Sequence, residues 1–352
     1  MSRGDAVVIG ATGQTGRAAV AALAEDGWEV RAASRGGGAD ARWPDGVRPV
    51  RLDREDGAAT AALVGDGCDV LVDLTAFGRS HAHQLTGLAD RIGSAVVISS
   101  VAVYEDDDGR GFETQGEPGG SPRYPVPMPE EQRTVAPSDA TYARGKALLE
   151  RELLAAADAL PVTLLRAGAV HGPYSRSPRE LYFVKRALDG RSRRVLAYGG
   201  GSRFHPVHVS NVAELIRLAA RRPGARVLNA ADPQAPTVTE IGAAIDAVMG
   251  RETETVLLAG PSPDGVVGAH PWGIEHPVVL DMSAAERELG YRAVTGYVDS
   301  LPTTVEWLVE RVRGREWTEV FPQLVRSYGA DRLFGYAAED AWLAAYDRGE
   351  AY

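Results

Sequence analysis

Near the start of the chain, four apolar residues, Ala6–Ile9, break into Gly10-Ala11-Thr12-Gly13-Gln14-Thr15-Gly16 and then into an Ala/Leu-rich stretch reaching Ala24. That order reads as a short buried strand, a glycine turn and a helix. Glycines placed there let the backbone turn tightly, approach a pyrophosphate closely and pack the helix against the strand. The segment is therefore expected to bind a dinucleotide through Gly10, Thr12, Gly13, Gln14, Thr15 and Gly16. The alternative is a glycine turn with no ligand. The spacing is G-x-x-G-x-x-G, not G-x-G-x-x-G.

The same alternation continues downstream. Trp28–Ser34, Asp69–Thr75, Ala95–Ser99, Pro161–Arg166 and Arg226–Asn229 read as further strands, with helical patterns between them. Strands and helices in turn imply right-handed crossovers and an α/β fold, a doubly wound parallel sheet of Rossmann type. At 352 residues the chain exceeds the roughly 250–300 at which a single core stops growing. A dinucleotide-binding domain over 1–166, with late strands near 207–230 returning to it, is expected beside a smaller mixed α/β substrate lobe, interleaved over 167–316. A helical extension over 317–352 follows. Between Tyr104 and Pro137 periodicity stops in favour of Asp, Gly, Pro and Glu, which suits a functional or mobile insert such as a lid.

Charge and cysteine usage remove several classes of function. A formal net charge of −10 repels phosphate backbones and anionic lipid, which argues against nucleic acid and membrane partners. One cysteine, Cys68, allows no internal disulfide and no thiolate cluster, and fits a reducing, cytoplasmic setting. His81 with His83, and His205 with His208, lack carboxylate or thiolate company at ligand spacing, so no metal is expected.

At the end of the second strand, where an acidic residue would meet ribose hydroxyls, the chain reads Ser34-Arg35-Gly36. Arginine there stacks on adenine and pairs with a 2′-phosphate, which favours NADP while leaving NAD possible. A solvated surface arginine is the alternative. Asp53 either meets the adenine edge or caps a helix. Leu74, Thr75 and Ala76, closing a later strand, complete the expected cofactor contacts.

Tyr142-Ala143-Arg144-Gly145-Lys146 puts a phenol and an ammonium one helical turn apart, with Ser138 or Asp139 placed to cap the helix. A phenol near pKa 10 is a poor base at neutral pH, and an adjacent ammonium is the expected means of lowering it. Of the 38 basic residues only Lys146 and Lys185 are lysines, so a lysine here departs from the chain's own habit. Ser99 and Ser100 end the strand at Ala95 in the sequence ISSVAVY, on the sheet edge where ligands bind.

Together the glycine pattern, Ser100 in SSVAVY, and Tyr142 with Lys146 resemble the extended short-chain dehydrogenases/reductases, the family of nucleotide-sugar epimerases, dehydratases and ketoreductases. The resemblance covers roughly Ala6–Leu308. It implies Tyr142 as acid/base, Lys146 as cofactor anchor and Ser100, with Val101, as substrate contacts. LRAGAVHGP looks like the family's LRxxxVYGP, with His171 in place of tyrosine. Arg203 in SRFHPVHVSNVAE is similar to the family's diphosphate-clamping arginine, and Asn211 stands where aspartate is usual. Ser-Ser-Val replaces the dehydratases' Thr-Asp-Glu, which disfavours elimination. Relatives often dimerise through the Tyr/Lys helix, so a homodimer is expected.

These residues point to hydride transfer at a secondary alcohol or ketone of a sugar-like or polyoxygenated small molecule. An epimerase holding NAD is the alternative within that chemistry, and a dinucleotide-sensing binding protein the alternative outside it. Retention of Ser100, Tyr142 and Lys146 argues for catalysis.

Overall fold

Along β1 (Asp5–Ile9) successive side chains enter two different cores. Ala6 and Val8 join one with Val20, Leu23, Leu215 and Ile216, whereas Val7 and Ile9 join another with Leu63, Leu85, Leu149 and Leu153. A strand buried on both faces needs no polar alternation, and for that reason its sequence is a plain apolar run. In the computed structural model, which describes residues 3–40 and 42–350, β1 is an interior strand of a seven-stranded sheet. The other strands are β2 (Glu29–Ser34), β3 (Arg48–Arg51), β4 (Val70–Asp73), β5 (Ala95–Ser100), β6 (Val162–Ala167) and the seventh strand, Arg226–Ala230.

The spatial order is seventh strand, β6, β5, β4, β1, β2, β3, with every pairing parallel. From β1 the chain runs outward through β2 and β3, then returns to lay β4 on the other side. That reversal leaves a crevice at the carboxyl ends of β1 and β4, where doubly wound sheets bind their ligands. The sheet and its helices include α1 (Gln14–Glu25), α2 (Gly57–Val64), α3 (Gly78–Thr86) and α4 (Tyr142–Ala155). They belong to one compact unit made of the described residues of 1–170 with 207–232 and 280–295.

The insert after Tyr104 forms no helix or ladder strand before Tyr142. It is nonetheless tied down by hydrogen bonds. Asp106 gathers the backbone N–H groups of Asp108, Arg110 and Arg123, and Tyr124 donates its hydroxyl to the Tyr104 carbonyl at 2.9 Å. Tyr104 in turn donates to Asn229 Oδ1 at 2.7 Å, and Asn229 Nδ2 donates to the Met128 carbonyl at 3.1 Å. Polar groups that satisfy one another in the interior fix a segment that lacks regular structure.

The second unit comprises 171–206, 233–279 and the described residues of 296–352. Phe183, Ile241, Trp272 and Leu301 share its core with Trp317, Phe321, Leu324 and Leu333 from the final segment. That segment forms four helices, Trp317–Val320, Pro322–Tyr328, Ala330–Phe334 and Tyr336–Asp347. Inside this unit Arg186, on the helix Leu181–Leu188, pairs with Glu339 at 2.7 Å, and both side chains are buried.

Candidate active site

The glycine turn closes against itself. Gly10 adopts φ +87°, open to glycine and costly for other residues, and its carbonyl accepts the Gly13 N–H at 2.9 Å. At Gly16 a β-carbon would lie 2.1 Å from the Gly10 carbonyl oxygen and 2.8 Å from Ala11 Cα, so α1 approaches the turn only because that position is bare. No side chain caps α1 at Gly13, and its first turn carries no acidic residue. The start of the helix therefore keeps its positive end for an anion, which fits a pyrophosphate. Thr12, Gln14 and Thr15 lie half-buried around this turn, and Arg17 Nε donates to the Thr12 carbonyl at 3.0 Å. Gly16→Ala is expected to cost about 1–3 kcal/mol by overpacking and to weaken NADH and NADPH binding alike. Thermal unfolding and fluorescence titration check both parts.

Ser34 is buried at the end of β2 and accepts the Gly37 N–H at 3.2 Å, whereas Arg35 is exposed and makes no ion pair among the described residues. The carboxylate that follows, Asp40, is taken up by Arg17 and Arg42. Asp53 is exposed and accepts the Glu55 N–H at 3.1 Å, and the cap of α2 is Asp56, which accepts from Ala59. Capping is thus removed from the two roles open to Asp53.

Beyond β4, Leu74 donates its N–H to the Ile9 carbonyl at 3.1 Å, and Thr75 donates both N–H and hydroxyl to Asp73 Oδ1. Asp73 is fully buried and pairs with Arg54 Nε at 2.6 Å. Neither Asp73 nor Arg54 stood out in the sequence, where both merge into strand and turn patterns.

The N-cap of α4 lies two to three residues beyond the expected caps. Thr141, not Ser138 or Asp139, is the N-cap and accepts the Arg144 N–H at 3.4 Å, which makes Tyr142 the first helical residue. The helix dipole's positive end thus lies beside the phenol. Ser100, the last residue of β5, accepts the Ala102 N–H at 3.1 Å, and its hydroxyl lies near enough to the Tyr142 phenol to favour the ionised form. Fold and insert together bring near one another two hydroxyls that are 42 positions apart in sequence. Val101 follows, buried in a short 3-10 turn.

Lys146 is buried one turn along α4, and its Nζ donates to the carbonyls of Ala76 at 2.8 Å and Ile98 at 2.9 Å. Burial pulls its pKa down to about 8, against the opposing pull of Asp73 and Glu150, so the amine remains charged at neutral pH. Tyr142 departs from expectation. Burial of its hydroxyl raises the phenol pKa, and the nearby Ser100 hydroxyl offsets this only in part. Solvent reaches 56% of the residue, which screens some of that penalty. Lys146 is not among the groups that shift the phenol, and its ammonium donates instead to two backbone carbonyls.

Behind this helix lies a buried cluster that sequence reading missed. Glu150 accepts Arg166 Nη2 at 2.7 Å and the Ser99 hydroxyl, and Arg166 also lies over the Tyr104 ring at 4.7 Å. In the second unit His171 is buried with its ring 4.7 Å from that of Tyr297. Arg203 is exposed there, and its charge helps hold the Glu240 carboxyl below the usual range, after the larger effect of Thr237. Asn211 is fully buried and donates to Asp232 Oδ1 at 2.7 Å, so a carboxylate is present through Asp232 although position 211 lacks one.

A sequence profile of the NAD dependent epimerase/dehydratase family matches residues 6–231, from β1 through the seventh strand. The chain belongs to that family. Membership makes it an NAD-dependent enzyme and accounts for the strand order and the glycine turn. Solved members share the fold. UDP-N-acetylglucosamine 4-epimerase from Methanobrevibacter ruminantium M1, in complex with UDP-N-acetylmuramic acid, is 19% identical with a TM-score of 0.68, over 89% of this chain and 100% of that one. dTDP-glucose 4,6-dehydratase from Bacillus anthracis, in complex with NAD, is 17% identical with a TM-score of 0.64, over 91% and 99%. MoeE5, in complex with UDP-glucose and NAD, is 22% identical with a TM-score of 0.62, over 87% and 99%. Among curated proteins none matches the chain. No helix among the described residues is long and apolar enough to cross a membrane.

Proposed function

We propose that this family member is an NADP-dependent reductase acting at a ketone of a sugar-like or polyoxygenated metabolite, with Tyr142 passing the proton. The observation that carries the reading is a phenol at the start of α4, near Ser100 at the end of β5, that burial holds above its ordinary pKa. Such a phenol keeps its proton at neutral pH and can give it to an oxygen that is gaining negative charge, which is the need of reduction. Ser100 supplies a second hydroxyl to the same oxygen. Bound at the glycine turn, the nicotinamide nucleotide supplies the hydride. Gly10, Gly13 and Gly16 hold its pyrophosphate, and Lys146, with a third N–H beyond its two carbonyls, holds the ribose. Val101, His171 and Arg203 are assigned to the substrate. The chain is taken to work in the cytoplasm as a homodimer.

Arg35 supports NADP over NAD. It is exposed at the end of β2 with no ion pair among the described residues, and Asp40 is already engaged by Arg17 and Arg42. Arg35→Ser is expected to weaken NADPH binding by about 10- to 100-fold, the worth of a charge-assisted hydrogen bond, and to leave NADH binding nearly unchanged. Fluorescence titration measures both, and an equal loss for the two nucleotides removes Arg35 from the site.

A second reading, a nucleotide-sugar epimerase that retains NAD, draws support from the likeness to UDP-N-acetylglucosamine 4-epimerase. Mass spectrometry of nucleotide carried through purification separates the two, together with assays on dihydroxyacetone, D-fructose and UDP-glucose. Retained NAD with interconversion of UDP-glucose and UDP-galactose overturns the reductase.

A further inference from the structure

Phe77 occupies the turn between β4 and α3, immediately before the helix. Its ring stacks on that of Tyr142, with centroids 5.9 Å apart and planes inclined by 15°. The ring fits because residue 145 is glycine. A β-carbon there would lie 2.4 Å from Phe77 Cζ and 2.9 Å from Cε2, distances that no carbon pair tolerates. Glycine inside a helix weakens it, and here the helix gains room for an aromatic ring in exchange.

Phe77 is held firmly at its backbone. The peptide unit joining Ala76 to Phe77 is bonded at both ends, its carbonyl accepting from Lys146 Nζ at 2.8 Å and its N–H donating to His81 Nδ1 at 2.9 Å. His81 is itself buried. Lys146 and His81 thus fix the turn that aims the ring, yet the ring remains 37% exposed. A phenylalanine serving only the core would be buried more fully. Its neighbour Tyr142 is the first residue of α4 and is 56% exposed.

We infer that Phe77, seated in the space left by Gly145, is a positioning residue that holds the Tyr142 phenol in the orientation needed for proton transfer. The inference rests on the role proposed above for Tyr142. A displaced phenol lowers the chemical step while leaving nucleotide binding alone, because a misplacement of about 1 Å at a reacting group costs on the order of 100-fold.

The test is a double-mutant cycle in the full chain with Phe77→Ala and Gly145→Ala. Each single variant is expected to lower kcat by about 10- to 100-fold on whichever of dihydroxyacetone, D-fructose or UDP-glucose the wild type turns over. KM and NADPH affinity stay nearly unchanged. In the Phe77→Ala background, Gly145→Ala is expected to cost nothing further, because the clash it creates is with the deleted ring. Thermal unfolding of each variant separates an overpacked or loosened fold from a lost chemical step.

A readout free of substrate accompanies the cycle. With 3-fluorotyrosine at all 12 tyrosines, Tyr142→Phe identifies the Tyr142 fluorine resonance by its disappearance. That resonance is expected to move in both single variants, and Gly145→Ala to move it no further once Phe77 is gone. An unmoved resonance, or two kcat losses that simply multiply, overturns the inference. Loss of the Tyr142 role registers separately, as full turnover by Tyr142→Phe.

Discussion

Tyr142→Phe is expected to cut turnover by about 10²- to 10⁴-fold, the usual worth of a positioned proton donor, while NADPH affinity stays nearly unchanged. The substitution removes one oxygen and keeps the ring, so the stack on Phe77 and the start of α4 remain. What disappears is the hydroxyl near Ser100. Steady-state reduction of the carbonyl probe, with fluorescence titration of NADPH, separates chemistry from binding. A variant with full turnover would remove the phenol from the mechanism. The pH dependence has a definite sign, since the proton-bearing form is the one required. Reduction should hold on the acid side and fall as pH rises through the phenol's elevated pKa.

Glu150→Ala is expected to destabilise the protein by about 3–5 kcal/mol, the cost of breaking one side of a buried ion pair. For the unit that contains it, this lowers Tm by roughly 10 °C. Glu150 and Arg166 side chains are 5% and 7% exposed. Without the carboxylate the Arg166 guanidinium keeps the Glu130 carbonyl, at 2.9 Å, as its acceptor among the described residues, and the Ser99 hydroxyl loses Glu150 as its acceptor. Glu150→Gln should be milder because an amide oxygen still accepts. Thermal unfolding decides the matter, and a loss below about 1 kcal/mol, the range of exposed pairs, would show that solvent or another group takes over. Lys146 should respond as well. Glu150 raises the ammonium's pKa, so its removal lets that value fall below about 8 and brings loss of the charge closer to neutral pH.

The sheet was legible because burial on both faces writes strands as apolar runs, and because glycine at positions 10 and 16 answers a steric demand that is local in sequence. The Tyr142, Lys146 pair was legible through helical spacing and the scarcity of lysine. Spacing gave the shared face but not the partner of the ammonium. That partner depends on Ala76 and Ile98, carbonyls 70 and 48 positions away. Three residues able to cap α4, Ser138, Asp139 and Thr141, lie within four positions, and only the path of the insert chooses among them. Glu150 reads as an ordinary polar residue on a helix until β5 and β6 bring Ser99 and Arg166 against it. Gly145 reads as a mild helix defect until Phe77 arrives from another turn of the chain.

The Arg186, Glu339 pair changes how the last three dozen residues should be regarded. Cutting the chain ahead of Pro322 would leave a guanidinium sealed in an oily interior with its counter-charge gone, and would strip Leu324 and Leu333 from the packing around Trp272. Evolution or an engineer could redecorate the outer surface of this segment freely, but shortening it would amount to removing a wall of the room it encloses.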